Sequence, residues 1–197
     1  GLLDIGSLYF ELRDYQQALK SFEEARDIFI SLFGMDNLEV GNALNSIADV
    51  YFDFGEINKA KNLYQQALDI YDKSNPAINP SKSIVIENLA QSEFELFERQ
   101  SSVQTIETTL DSLLSILPPK HPQIRSLRST LIGFNLRMGE VNLAKEQLSQ
   151  LNPSLINKLT DFDKLSTEEI SLALIYWQST GQREIEKSYL KIILLPS

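Results

Sequence analysis

Few side chains in this sequence stand at spacings suited to covalent chemistry. His121, the sole histidine, lies between Lys120 and Pro122 in a proline-bearing segment, where its neighbours supply no partner for a general acid, a base or a metal ligand. Glu23-Glu24 and Glu168-Glu169 are adjacent carboxylates that project about 100° apart on a helix, so neither pair can share a proton as a catalytic dyad does. Asp161 and Asp163 alternate as in a calcium loop but lack its glycine and distal glutamate. A phosphate-binding glycine loop and a nucleophile elbow are both missing. The absence of cysteine removes disulfides, thiolate metal sites and thiol nucleophiles. The expectation is a protein that is not an enzyme, with no catalytic residue, no metal site and no cofactor.

A second set of residues is suited to recognition instead. Leu3, Ser7, Phe10 and Glu11 are followed at the same spacing by Asn45, Asp49, Phe52 and Asp53, and then by Glu87, Gln91, Phe94 and Glu95. On a helix, positions i, i+4, i+7 and i+8 share one face. That face then carries an aromatic row, Phe10, Phe52 and Phe94, flanked by five acids and no base. Such a surface suits an extended or helical segment that brings apolar anchors and positive charge. The plainer reading is that each phenylalanine packs between neighbouring units and each acid is merely solvated. The corresponding residues further on, Ser129, Gly133, Leu136, Arg137 and then Ser171, Ile175, Gln178, Ser179, lose both features.

The elements that must position this face are set by an internal repeat of 42 residues. Leu2, Ile5, Gly6 and Tyr9, followed by Ala18, Phe22 and Ala25, return as Leu44, Ile47, Ala48, Tyr51, Ala60, Tyr64 and Ala67. The third copy has Ile86, Leu89, Ala90, Ser102, Ile106 and Thr109, with Glu93 in place of the tyrosine; Leu131, Ile132, Ala144 and Leu148, and then Ile170, Ala173, Leu174, Trp177 and Leu190, continue the series. Arg13, Gly55, Phe97, Gly139 and Gly181 occupy the bend between two helices, where a left-handed backbone is cheapest for glycine. Gly6 with Ala18, Ala48 with Ala60 and Ala90 with Ser102 are the small pairs expected where two helices touch; Ile132 with Ala144 and Leu174 with Glu186 depart from that rule.

These residues resemble the tetratricopeptide repeat (TPR) pattern of two antiparallel helices clasped through small side chains. The period and the loops Gly34-Met35-Asp36-Asn37-Leu38-Glu39-Val40 and Lys120-His121-Pro122-Gln123-Ile124 resemble the repeats of kinesin light chains, whose loop reads Gly-x-Asp-His-Pro-x-Val. The resemblance implies an all-α fold, a right-handed superhelical α-solenoid of about five helix-turn-helix units at about 1–38, 39–80, 81–121, 122–160 and 161–197. The candidate face becomes its concave side. It further implies that Asn45, in Leu44-Asn45-Ser46-Ile47-Ala48, hydrogen-bonds a bound peptide backbone. The Lys, Asn and Arg used by carboxylate-clamping repeats are replaced on this face by Leu3, Ser7, Glu87 and Gln91.

Helices are expected at 2–12 and 15–33, within 40–73 and 82–117, and after Pro122, with Asn75–Pro80, Pro118-Pro119 and Asn152-Pro153 as breaks. Ser166-x-x-Glu169 is a capping box. The chain is read as one array. Because it opens at Gly1 inside a repeat, it is expected to be a fragment of a longer chain. Its 27 acids against 18 bases, net charge −9, disfavour nucleic acid, and no run is long enough to span a bilayer. A cytoplasmic or other reducing, soluble compartment is expected.

The function expected is a scaffold that binds a protein or peptide partner in the concave groove, preferring apolar and basic segments. The alternatives are a ligand-sensing regulatory domain of a larger signalling or transcription regulator, similar to peptide-pheromone receptors, and an array that self-associates through its open first repeat.

Overall fold

Each copy of the repeat opens with a helix whose apolar and small residues recur every three or four positions, and closes with a second such helix. A computed structural model describes residues 1–74 and 80–151, which form eight α-helices. They are α1 (Leu2–Glu11), α2 (Tyr15–Phe33), α3 (Leu38–Asp53), α4 (Ile57–Ser74), α5 (Pro80–Glu95), α6 (Arg99–Leu114), α7 (Pro122–Arg137) and α8 (Val141–Leu151). Among the described residues there is no strand. Pro118-Pro119 falls between α6 and α7 as expected, whereas Pro80 is already the first residue of α5, a position that tolerates its missing N–H; Asn152-Pro153 lies outside the described residues. The fifth copy, including Asp161, Asp163, Glu168, Glu169 and Gly181, lies outside the described residues, as do 75–79.

The same turn closes all four described pairs. Arg13, Gly55, Phe97 and Gly139 have φ of 59°, 88°, 65° and 80°, so the bend is left-handed even where the residue is not glycine. The N–H of the following residue reaches back five positions: Asp14 to Tyr9, Glu56 to Tyr51 and Glu98 to Glu93 at 2.9 Å, and Glu140 to Asn135 at 2.8 Å. These bonds satisfy carbonyls that the helix end would leave open. The next helix is then capped at once: the Asp14 carboxylate accepts from the Gln17 N–H at 3.2 Å.

The loops between pairs use a second cap. Asn37 Oδ1 accepts from the Glu39 N–H at 2.9 Å and His121 Nδ1 from the Gln123 N–H at 3.4 Å, with Pro122 at the first helical position. Asn37 therefore does the work of the histidine that its copy of the loop lacks, and His121 is a helix cap.

The chain divides into two compact units, 1–105 and 106–197, with the boundary inside α6. In the first, α3 lies against α1, α2, α4 and α5. Ala18, Phe22, Ile47 and Val50 form one buried cluster; Val40, Leu44, Ala48, Ala60, Tyr64, Ala67, Tyr71, Val85 and Leu89 belong to another. The room left by Gly6 is filled by the ring of Phe22, whose Cε1 would stand 2.5 Å from a Cβ there. Ile5 departs from its packing role: it is 46% exposed, whereas Ile47, its equivalent, is 1% exposed because Ala18 and Phe22 of the preceding pair cover it. Glu93, standing where a tyrosine recurs, is buried and accepts from the Ser101 and Thr105 hydroxyls at 3.1 and 3.2 Å. In the second unit, α7 and α8 pack together, burying Leu127, Leu131, Ile132, Ala144 and Leu148.

Two substitutions test this packing by chemical denaturation. Gly55→Ala, at φ 88°, should lose about 1 kcal/mol, while Arg13→Gly should shift stability the other way by a smaller amount. Gly6→Ala should cost about 1–2 kcal/mol, since overpacking against buried Phe22 outweighs the gain from removing a helical glycine.

Candidate binding face

The inner helices α1, α3 and α5 are neighbours in the first unit, so their candidate residues share a surface. On α1, Leu3 and Phe10 are half-buried, while Ser7 and Glu11 are exposed. The Ser7 hydroxyl donates to the Leu3 carbonyl at 3.0 Å. On α3, Asn45, Asp49 and Phe52 are half-buried and Asp53 is exposed. On α5, Glu87, Gln91 and Glu95 are half-buried, with Gln91 Nε2 donating to Glu95 Oε1 at 2.7 Å.

The aromatic row divides between the two readings. Phe94 is 4% exposed with the Arg99 guanidinium over its ring at 5.8 Å, so it packs and offers little surface. Phe10 and Phe52 pack against the two clusters while remaining partly exposed. Phe10 lies 6.0 Å from Tyr15, which in turn meets Phe54 edge-on at 6.2 Å, a geometry that favours aromatic pairs.

The centre of the face is a hydrogen-bond network around Asp49. Its Oδ1 accepts from the Tyr64 hydroxyl of α4 at 2.7 Å and from Asn88 Nδ2 of α5 at 3.0 Å. Its Oδ2 accepts from Asn45 Nδ2 at 3.3 Å, and Asn88 Nδ2 also approaches Asn45 Oδ1 at 3.4 Å. Among the described residues no Lys or Arg pairs with Asp49. Partial burial pushes its carboxyl up to about 6; the Tyr64 hydrogen bond opposes this, and the charge of Asp53 one turn on adds to it. Burial, then the Asp49 charge, in turn raises the Tyr64 phenol above its ordinary range. The two contacts of Asn45 are at the long end of hydrogen-bond range, so an incoming backbone group can compete for its carboxamide.

Neither Asn88 nor Tyr64 was among the candidate face residues, Tyr64 having been read only as a packing position of the repeat. Tyr64 replaces Phe22 at the equivalent position, and a buried phenol needs a hydrogen-bond partner; that hydroxyl was the available signal. Asn88 sits one position beyond the stripe and gave none. Glu23 and Glu24 stay apart, half-buried and exposed respectively. Among the described residues, no group of three or more His, Asp or Glu is placed to hold a metal ion, and no helix is long and apolar enough to cross a membrane.

The tetratricopeptide repeat family model matches residues 1–73. A solved kinesin light chain structure from Podosopora anserina, described as having nearly identical TPR-like repeats, superposes with a TM-score of 0.70 over 98% of this chain and 91% of that one, at 19% identity. Over residues 1–73 the chain is similar to tetratricopeptide repeat proteins. Its TPR units are similar to those of the kinesin light chain kind: Protein KINESIN LIGHT CHAIN-RELATED 1 of Arabidopsis thaliana is 26% identical over 140 residues, 70% of this chain. The chain spans 21% of that relative's length. The Rap conjugation gene regulator of plasmid pLS20, solved in complex with the Phr* peptide, shares the TPR fold with a TM-score of 0.63, at 14% identity over 98% of this chain and 51% of that one.

The raised Asp49 carboxyl fixes the sign of a pH effect. The folded state holds this proton more tightly than the unfolded chain, whose carboxyl has the ordinary value of 3.8. The stability it contributes is therefore full below 3.8 and lost as pH rises through about 6. Asp49→Asn cannot ionise, so its urea midpoint relative to the parent should rise between pH 4 and 6 and level off above. A pH-independent difference would contradict the burial of this charge.

Proposed function

We propose that the α1/α3/α5 face binds a segment of a protein partner, extended or helical, that brings apolar and basic side chains. The chain acts as a non-catalytic scaffold. The observation that carries this reading is Asp49: a half-buried carboxylate held by three donors from three helices, without a cation among the described residues, beside the partly exposed rings of Phe10 and Phe52. A partner lysine or arginine would supply the missing charge, and the two rings would receive apolar anchors. Asp53 and Glu11, exposed on the same helices, extend the negative field, in keeping with a net charge of −9. The fold likeness to a regulator solved with a peptide supports peptide binding.

That likeness also favours a second reading, a ligand-sensing regulatory domain whose repeats change curvature when a peptide binds. X-ray scattering with and without a bound peptide separates the two, since a static scaffold leaves the profile unchanged.

Fluorescence anisotropy with otherwise matched basic-apolar and acidic-apolar peptides tests the primary reading. The basic peptides should bind more tightly, and Phe52→Ala or Asn45→Ala should weaken that binding about 5- to 30-fold, the cost of losing one good contact of about 1–2 kcal/mol. Tighter binding of the acidic set would overturn it.

A further inference from the structure

Asp49 stands where three helices meet, and its contacts differ in what they tolerate. Oδ1 already takes two donors, Tyr64 from α4 and Asn88 from α5, while Oδ2 takes only the long 3.3 Å contact from Asn45. We propose that Asp49 is a proton-operated latch between α3, α4 and α5, in which protonation of Oδ2 turns the Asn45 carboxamide over.

The chemistry of the donors dictates the step. A carboxylate accepts only, so all three neighbours present donors to it. When Oδ2 gains a proton it becomes a donor, and the Asn45 NH2 facing it is then a donor opposite a donor. Rotation of the Asn45 carboxamide brings Oδ1 to Asp49, where it accepts the new O–H. This exchange puts the Asn45 NH2 where its Oδ1 stood, opposite Asn88 Nδ2, so the weak 3.4 Å Asn88–Asn45 contact is lost and Asn88 is left with Asp49 alone. Asn88 and Tyr64 keep their bonds to Asp49 Oδ1. The groups acting on the latch are Asp53 from α3, Tyr64 from α4 and the uncharged Asn88 from α5. The Tyr71 phenol of α4 is coupled to it more weakly. Burial places the transition near neutral pH, at about 6. Given the groove reading above, a basic segment meets a carboxylate above this pH and a neutral acid with a turned amide below it, so it is released on acidification.

The test is an NMR titration of the full chain from pH 4 to 8, following the Asp49 carboxyl carbon and the side-chain NH2 groups of Asn45 and Asn88. All three should move with one midpoint near 6. Asp49→Asn should fix the Asn45 NH2 signals at the acid-form positions at every pH, and Tyr64→Phe, which removes a donor to the carboxylate, should raise the midpoint. An Asp49 carboxyl titrating near 4, or amide signals that stay still while it titrates, would overturn the latch. Repeating the anisotropy measurement at pH 5 and 7.5 keeps the two ideas apart. Basic peptides that bind at neither pH would sink the groove and leave the titration standing, whereas equal binding at both would sink the latch's role in release.

Discussion

The left-handed turn that closes each helix pair is the constraint on which the described structure depends. Its five-position hydrogen bond satisfies a carbonyl at the end of the first helix, and the same few residues start the second. Because the turn recurs at 42-residue spacing, it also sets the phase of every helix relative to its equivalent. The phase matters more than the strength of any one bond. A shift of one residue would rotate each helix by about 100° and carry Asn45 and Asp49 away from α5. That Arg13 and Phe97 accept a positive φ shows how firmly the pairs impose the turn on residues that disfavour it.

With the phase fixed, the inner helices bring side chains of different copies into one network. Asp49 gains a partner from its own pair in Tyr64 and one from the next pair in Asn88, so the network ties two repeats together as well as lining the face. A half-buried carboxylate without a cation is costly in a folded chain. Its presence at the junction α3/α4/α5, beside rings that are only partly covered, is what gives this face its character. Elsewhere the structure answers a buried acid differently: Glu93 receives two hydroxyls from α6 and is enclosed.

Much of this was legible in the residues. For the first pair, apolar and small positions placed both helices almost to the residue, and the turn was placed at Arg13 and Phe97 although neither is glycine, because the register alone pointed there. The same register aligned Asn37 with His121, but that both cap a helix came only from the structure. What the pattern missed depends on depth, which periodicity does not measure. Phe94 and Phe52 are equivalent in spacing, yet one is enclosed and the other is not, because the burial of each is decided by its own neighbours, Arg99 in one case. Ile5 and Ile47 are likewise equivalent, and only Ile47 has a preceding pair to lie on. Asn88 was invisible because its role is created by a residue 39 positions earlier, Asp49, and no local signal announces a contact of that kind.

The central claim is that the α1/α3/α5 face, and not another surface of the repeats, receives the partner. Site-specific photocrosslinking tests it most directly, with a photoreactive phenylalanine analogue placed at Phe52 or at Gln65, which is exposed on α4. With a basic, apolar peptide in solution, the account predicts a crosslink from position 52 that unlabelled peptide competes away, and none from position 65. Equal labelling at both, or labelling from position 65 alone, would contradict it.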